Sequence, residues 1–313
     1  MGRYIERDGF TRSFRTLLLE NLPSETAYVF ASDSNEERGR LGVWGELLRS
    51  RPEACVEIIE QHPTSMVCQR VGQHENISLT DSSALQALFS LPAVCIDITG
   101  LTHSVWAALL RIALNHSDAV ACAYSEPATY QEHHSPSSSS LYDLTVEFTG
   151  VAPLPGMASL SGPDSDSKTV LVPFLGFESA RAKHIAYDFD PIPHIVPVVG
   201  LPGFRYHYPQ ITISTNSEFL EQTRAYRHVK YAKASCPFEA YSILSEIHRD
   251  FPDAYLHIAP IGTKPHALGA VWYALEHPLD TEIVYDHPVR KARRTAGVGH
   301  THIYHLKPYD ADL

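Results

Sequence analysis

The stretch Ala254-Tyr-Leu-His-Ile-Ala-Pro-Ile-Gly-Thr-Lys-Pro-His-Ala-Leu-Gly-Ala-Val-Trp-Tyr-Ala-Leu-Glu276 decides the fold. The apolar run Tyr255–Ile261 predicts a buried strand. Gly262-Thr263-Lys264 follows as a short polar turn. A helical pattern then begins with Pro265 in its first turn, where the missing N–H costs nothing. Strand, tight turn and helix together gather backbone N–H groups and the positive end of a helix dipole at one point. Lys264 adds a charge there and Thr263 a hydroxyl, so the corner suits a phosphate or carboxylate. The plainer alternative is an ordinary strand–helix turn with Thr263 as N-cap and Lys264 in solvent.

The same pattern recurs on either side. Tyr28–Ala31 runs into the polar cluster Ser32-Asp33-Ser34-Asn35. Ala93–Thr99 runs into Gly100-Leu-Thr102 and an apolar-periodic helix over 103–115. Ala119–Tyr124 ends in Ser125-Glu126-Pro127. In the second half, Thr169–Leu175 turns through Gly176-Phe177 into a helix carrying Glu178, Arg181 and Lys183. His194–Val199 ends in Gly200-Leu-Pro-Gly-Phe204. Strands alternating with helices indicate a doubly wound α/β protein with mostly parallel sheets. The expectation is two Rossmann-like lobes, residues 1–150 and 168–313, joined by a Gly/Pro/Ser/Asp-rich linker over 151–167. Each lobe would carry an antiparallel strand near its end, Leu141–Thr149 in the first and His300–Leu306 in the second. Apolar spacing predicts further helices over 10–22, 36–50, 81–89, 217–224 and 237–250. The tract 131–140, Gln-Glu-His-His-Ser-Pro-Ser-Ser-Ser-Ser, reads as a flexible loop.

Composition narrows the function. An apolar fraction of 44% and a charged fraction of 19% over 313 residues are those of a globular protein. A net charge of −11 opposes wrapping nucleic acid over a broad surface. No apolar run reaches the length of a membrane span, and the charged start Met1-Gly-Arg-Tyr-Ile-Glu lacks an apolar signal core. A cytoplasmic protein without membrane association is therefore expected. The cysteines are scattered without a CxxC, as buried reduced thiols would be. HExxH, GxSxG and GxxxxGK[ST] are all absent.

In doubly wound sheets, ligands bind outside the carboxyl ends of the strands. The binding candidates are accordingly Ser32, Asp33, Thr99, Gly100, Glu178, Arg181, Phe204, Gly262, Thr263 and Lys264. Hydroxyls and backbone amides suit phosphate oxygens, Arg181 or Lys264 would neutralise them, and Phe204 or Tyr206 would stack on a base. Glu178 and Arg181, three apart on one helix, would otherwise simply pair. His300 and His302 share one face of a strand with Tyr304. No carboxylate or cysteine is near them in sequence, and no metal or cofactor is expected. The cluster Arg290-Lys291-Ala-Arg293-Arg294 is either a solvated loop or a contact for a phosphate, nucleic acid or an acidic partner. An enzyme acting on a nucleotide or nucleotide sugar, of glycosidase or transferase type, is the alternative function. Asp33, Glu126, Glu178 or Asp286 would then be its acid–base carboxylate.

Asp97-Ile-Thr-Gly100 and Gly262-Thr-Lys264 resemble turns of the CRISPR-associated Rossmann-fold (CARF) sensor domains. In that family a Thr-Gly-Gly-Thr-Lys turn precedes a helix. The first turn here lacks the second Gly and the Lys; the second lacks the leading Thr-Gly. The resemblance implies a nucleotide or oligonucleotide ligand at the strand carboxyl ends. It also implies a sensor or accessory subunit in bacterial antiviral defence, as a homo-oligomer or a subunit of a complex.

Overall fold

The structure is a computed structural model that describes residues 9–31, 37–39, 41–137, 140–159, 162 and 168–307. It is a mixed α/β protein with eight α-helices among the described residues. The chain divides into two compact units, one of residues 1–129 with 295–313 and one of residues 130–294.

The first unit begins with β1 (Phe10–Phe14), β2 (Thr26–Ala31), α1 (Gly42–Ser50) and β3 (Cys55–Gln61). A hairpin follows, β4 (Ser65–Arg70) and β5 (Gln73–Ser78). It turns at Val71 and Gly72, both with positive φ, the backbone twist a two-residue hairpin loop requires. Then come α2 (Ser82–Ala87), β6 (Ala93–Asp97), α3 (His103–His116) and β7 (Ala119–Tyr130). Asp81 caps α2 and Thr102 caps α3, each accepting a backbone N–H two or three residues into the helix.

In the second unit, β8 (Glu132–Ser137) and β9 (Ser140–Tyr142) pair antiparallel. β10 (Thr145–Phe148) and β11 (Lys168–Pro173) follow, then α4 (Ser179–Ala186), β12 (His194–Ile195) and β13 (Val198–Gly200). Next are α5 (Tyr208–Thr215), α6 (Ser217–Gln222), β14 (Lys230–Ala232) and α7 (Pro237–Asp250). β15 (Ala254–Ala259), α8 (Lys264–Glu276), β16 (Thr281–Ile283) and β17 (Pro288–Arg290) complete it. The last strand, β18 (Thr295–Lys307), returns to the first unit.

The large sheet of the first unit runs β1-β18-β7-β6-β2-β3-β4-β5. Its centre, β7-β6-β2-β3, is parallel, and antiparallel pairs close both edges. The contacts Ala128–Gly297, Glu126–Gly299 and Ser125–Thr301 run in opposite senses, so β18 lies antiparallel to β7. That pairing places the closing strand in the first sheet, not at the end of the second lobe. Residues 10–14 form strand, although their apolar spacing predicts a helix. Register with β18, from Phe10 opposite His305 to Phe14 opposite Thr301, overrides the local pattern.

The second unit holds the all-parallel sheet β12-β11-β15-β16. A parallel bridge from Phe174 to Val198 adds the β13–β14 pair. β12 and β13 are one strand interrupted at Val196-Pro197, where proline cannot donate to the ladder. The spatial order is therefore β14, β13/β12, β11, β15, β16. The chain moves outward from β11 in one direction, then returns and moves outward in the other from β15. Among the described residues of this unit, antiparallel pairing joins β8 to β9, β10 to β17, and Ala152 to Tyr285 in an isolated bridge. Of the expected linker, Ala152 bridges Tyr285 and Leu154 is buried, so this part packs into the second unit. Within the tract 131–140, which predicts a loop, residues 132–137 instead form β8 and residue 140 opens β9.

Apolar burial supplies the driving force in each unit. Leu47, Tyr28, Phe30 and Trp44 pack with Cys95 and Ile303 in the first, and Leu171, Ile185, Val199 and Phe219 in the second. Each fully buried side chain of this size stabilises by about 1.5–3 kcal/mol relative to exposure. α8 is apolar on every side and buried from Lys264 to Ala274, which fits a core helix. It packs on α7 through Gly269, where an added Cβ would stand 2.2 Å from the Pro237 carbonyl oxygen and 2.8 Å from the Ala240 Cβ. Gly269→Ala should therefore destabilise the protein by about 1–3 kcal/mol or more, the usual cost of overpacking. Urea unfolding followed by circular dichroism measures this, and an unchanged midpoint would show that the two helices separate freely.

Candidate functional site

The carboxyl ends of the second unit's parallel strands converge on one edge. There Gly176, after β11, meets Gly262, after β15. A Cβ on Gly176 would stand 2.9 Å from the Ile261 carbonyl oxygen. A Cβ on Gly262 would stand 2.9 Å from the Phe174 oxygen and 3.0 Å from the Leu175 oxygen. Only glycine lets the two turns pack backbone against backbone. Buried Asn216 fixes the arrangement by donating from Nδ2 to the Gly176 oxygen at 2.8 Å.

The predicted residues take distinct places on this edge. Thr263 is the N-cap of α8: its Oγ1 accepts from the His266 N–H at 3.4 Å and donates to the Ala234 oxygen at 2.7 Å. Lys264 opens α8 and is buried. Among the described residues the Gly262 and Thr263 amides have no acceptor.

Arg181 and Glu178 do not pair with each other. Arg181 donates from Nε and Nη2 to the two carboxylate oxygens of Asp286, at 2.8 and 2.6 Å, and from Nη1 to the Ile261 oxygen at 3.2 Å. Its guanidinium also lies over the Tyr285 ring. The Asp286 carboxylate beside it holds the Arg181 pKa up against the opposing effect of burial, which is the largest single contribution. Glu178 accepts from the Leu144 N–H and the Thr145 hydroxyl, which ties β10 to the start of α4. Phe204 packs against the hydrophobic cluster of Tyr142, Leu144 and Tyr208. Tyr206, two residues on, is 95% exposed. In the cationic cluster Lys291 pairs with Asp143, and the Arg294 oxygen accepts from the Gln131 N–H.

His266 was not singled out by sequence. It is fully enclosed on α8 and its Nε2 reaches the Ala232 and Lys233 oxygens at 3.2 and 3.1 Å. It therefore ties the end of β14 to the first turn of α8. Its only signal in the sequence is a polar residue on an otherwise apolar helix.

In the first unit, Ser32 and Asp33 lie outside the described residues. Thr99 is buried, and its Oγ1 accepts from the Ser125 N–H at 2.9 Å. The Gly100 oxygen accepts from Gln61 Nε2 at 3.2 Å. Asp97 anchors this edge by accepting from Trp44 Nε1 at 2.7 Å and from the Thr99 N–H at 2.9 Å. Glu126, in the second half of β7, reaches His302 on β18: the His302 Nε2 to Glu126 Oε1 distance is 2.9 Å. The other ring nitrogen, Nδ1, lies 2.8 Å from the Ser13 hydroxyl on β1. The sheet thus supplies the carboxylate that His302 lacks in the local sequence. No group of three or more metal-ligating side chains occurs among the described residues, and no helix among them is long and apolar enough to cross a membrane. The described cysteines are free thiols, and burial pushes Cys55 up to about 11.

Two outcomes follow for stability. Arg181→Met leaves the fully buried Asp286 carboxylate unpaired, which should cost about 3–5 kcal/mol. A double-mutant cycle with Asp286→Leu should recover much of that loss, and additive losses would show that the pair is not coupled. The second outcome concerns pH. Burial pushes both His257 and His266 down to about 4 from 6.5. Their folded values lie below the unfolded one, so their neutral forms are compatible with the fold above pH 6.5. Stability is then lost as pH falls from 6.5 toward 4. Unfolding midpoints across that range should fall, and His266→Gln should reduce the slope by about one proton. An unchanged slope would place the linkage elsewhere.

No protein-family model matches this chain, and no curated protein is significantly similar to it.

Proposed function

We propose that the protein binds a nucleotide or another phosphorylated ligand at the carboxyl edge of its parallel strands, as a sensor or accessory subunit. The observation that carries this reading is the Gly262-Thr263-Lys264 turn. It stands where the chain reverses direction between β11 and β15, the usual position of a ligand in a doubly wound sheet. There the capped start of α8 offers backbone amides and a helix dipole, with the Lys264 charge one residue on. On this reading both units are Rossmann-like, the second with its reversal at β11/β15 and the first with its reversal at β2/β6. Arg181 is a structural cation that holds the edge together through Asp286. The CARF-like turns favour an oligonucleotide over a mononucleotide and a role in defence. The Arg290–Arg294 segment would serve a protein partner.

A thermal-shift and calorimetry panel of nucleotides and short cyclic or linear oligonucleotides tests this. A ligand at a hundredfold its Kd stabilises by about 2.7 kcal/mol, which raises the unfolding midpoint measurably. Lys264→Met should weaken binding about tenfold or more through loss of a charge-assisted contact, with the circular dichroism unchanged. Equal affinity in wild type and variant would refute the assignment of Lys264 to phosphate.

A further inference from the structure

A chain of hydrogen bonds crosses three adjacent strands of the first unit. Ser13 on the edge strand β1 stands opposite His302 on β18 in the antiparallel register. The Ser13 hydroxyl lies 2.8 Å from His302 Nδ1, and His302 Nε2 lies 2.9 Å from Glu126 Oε1 on β7. All three side chains project from one face of the sheet. They grade from exposed Ser13, through half-buried Glu126, to buried His302. The imidazole is also held in place from the side, stacked on the ring of fully buried Tyr304 with centroids 5.8 Å apart. Gly299 makes room for the carboxylate: a Cβ there would stand 3.1 Å from the Glu126 Cβ and 3.5 Å from its Oε2.

We propose that Ser13, His302 and Glu126 form a nucleophilic relay that cleaves small carboxylic esters. The order of groups is that of a hydroxyl nucleophile, a base and an orienting carboxylate. Glu126 fixes the tautomer by accepting the Nε2 proton, which leaves the Nδ1 lone pair facing the Ser13 hydroxyl. In the reaction Ser13 Oγ bonds to the ester carbonyl carbon while its proton passes to His302 Nδ1 and the carbonyl π pair moves to oxygen. Glu126 stabilises the resulting imidazolium. The intermediate then collapses, the carbon–alkoxide bond breaks, and Nδ1 returns the proton to the departing alkoxide. Water repeats the sequence on acyl-Ser13, so ester and water give acid and alcohol with no further reactant. His300, exposed on the same face with its ring 6.4 Å from that of His302, offers an N–H to the oxyanion. Ser13 is exposed on an edge strand, which suits a short, flexible ester. The site is separate from the strand-end turn of the second unit and does not depend on ligand binding there.

The test uses the full chain with a fluorophosphonate probe and peptide mass spectrometry, together with p-nitrophenyl acetate hydrolysis. The expected result is a single adduct on Ser13, a burst of p-nitrophenol, and loss of both in Ser13→Ala. His302→Gln and Glu126→Gln should each slow labelling about a hundredfold or more, the scale of a lost general base or its orienting group. Circular dichroism of each variant confirms that it is folded. Should either Gln variant prove unfolded, Gly299→Ala, which crowds Glu126, provides the same comparison. An unmodified Ser13 in folded wild type overturns the proposal. So does labelling that is insensitive to His302→Gln and Glu126→Gln, because it would reflect exposure alone.

Discussion

Two glycines in van der Waals contact set the geometry of the second unit. Gly176 and Gly262 follow neighbouring parallel strands at the point where the chain reverses its winding, and backbone atoms of the facing turn occupy the space that a Cβ on either would need. Because backbone meets backbone there, the first turn of α8 and the approach to α4 are brought to one edge without an intervening side chain. Arg181 then spans the junction. It reaches the Ile261 oxygen on one side and the Asp286 carboxylate on the other, so three strand ends are held in one network. A buried ion pair of this kind gives modest net stability but strong geometric definition, because either charge alone would be costly.

The first unit reaches a comparable definition by polar means. Asp97 is buried and takes hydrogen bonds from the Trp44 indole and the Thr99 amide, while Thr99 receives the Ser125 amide. These bonds lock the end of β6 to the middle of β7 and make Thr99 part of the framework. The remaining chemistry of this sheet lies one strand further out, where β18 brings His302 between Glu126 and Ser13. Insertion of the second unit between β7 and β18 separates these partners in sequence: Glu126 and His302 are 176 positions apart, and Ser13 and His302 are 289 apart.

Much of the fold is legible locally. Pro265 after Gly262-Thr263-Lys264 marks the start of α8, and Thr263 does cap it, as its position and side chain require. The strands Ala93–Asp97 and Ala254–Ala259 and the helices Pro237–Asp250 and His103–His116 follow from apolar runs and periodicity. Other elements are not legible. β1 has a helical apolar spacing and becomes a strand only because β18 offers it an edge. β14 is too short to stand out, and the hairpin at Val71-Gly72 lacks the usual Asn-Gly or Asp-Gly turn. The Arg181–Asp286 pair joins residues 105 apart, so Glu178, three residues away, looks the better partner in sequence.

By itself the sequence determined the alternation of strands and helices, the polar strand-end turns and the capped start of α8, since each depends on residues within one or two turns of one another. Only the tertiary structure decided which strands are neighbours. It therefore placed β18 in the first sheet, assigned Arg181 to Asp286, and brought Glu126 and Ser13 to His302. These outcomes depend on long-range register and on desolvation of paired polar groups, and neither leaves a periodic trace in the local chain.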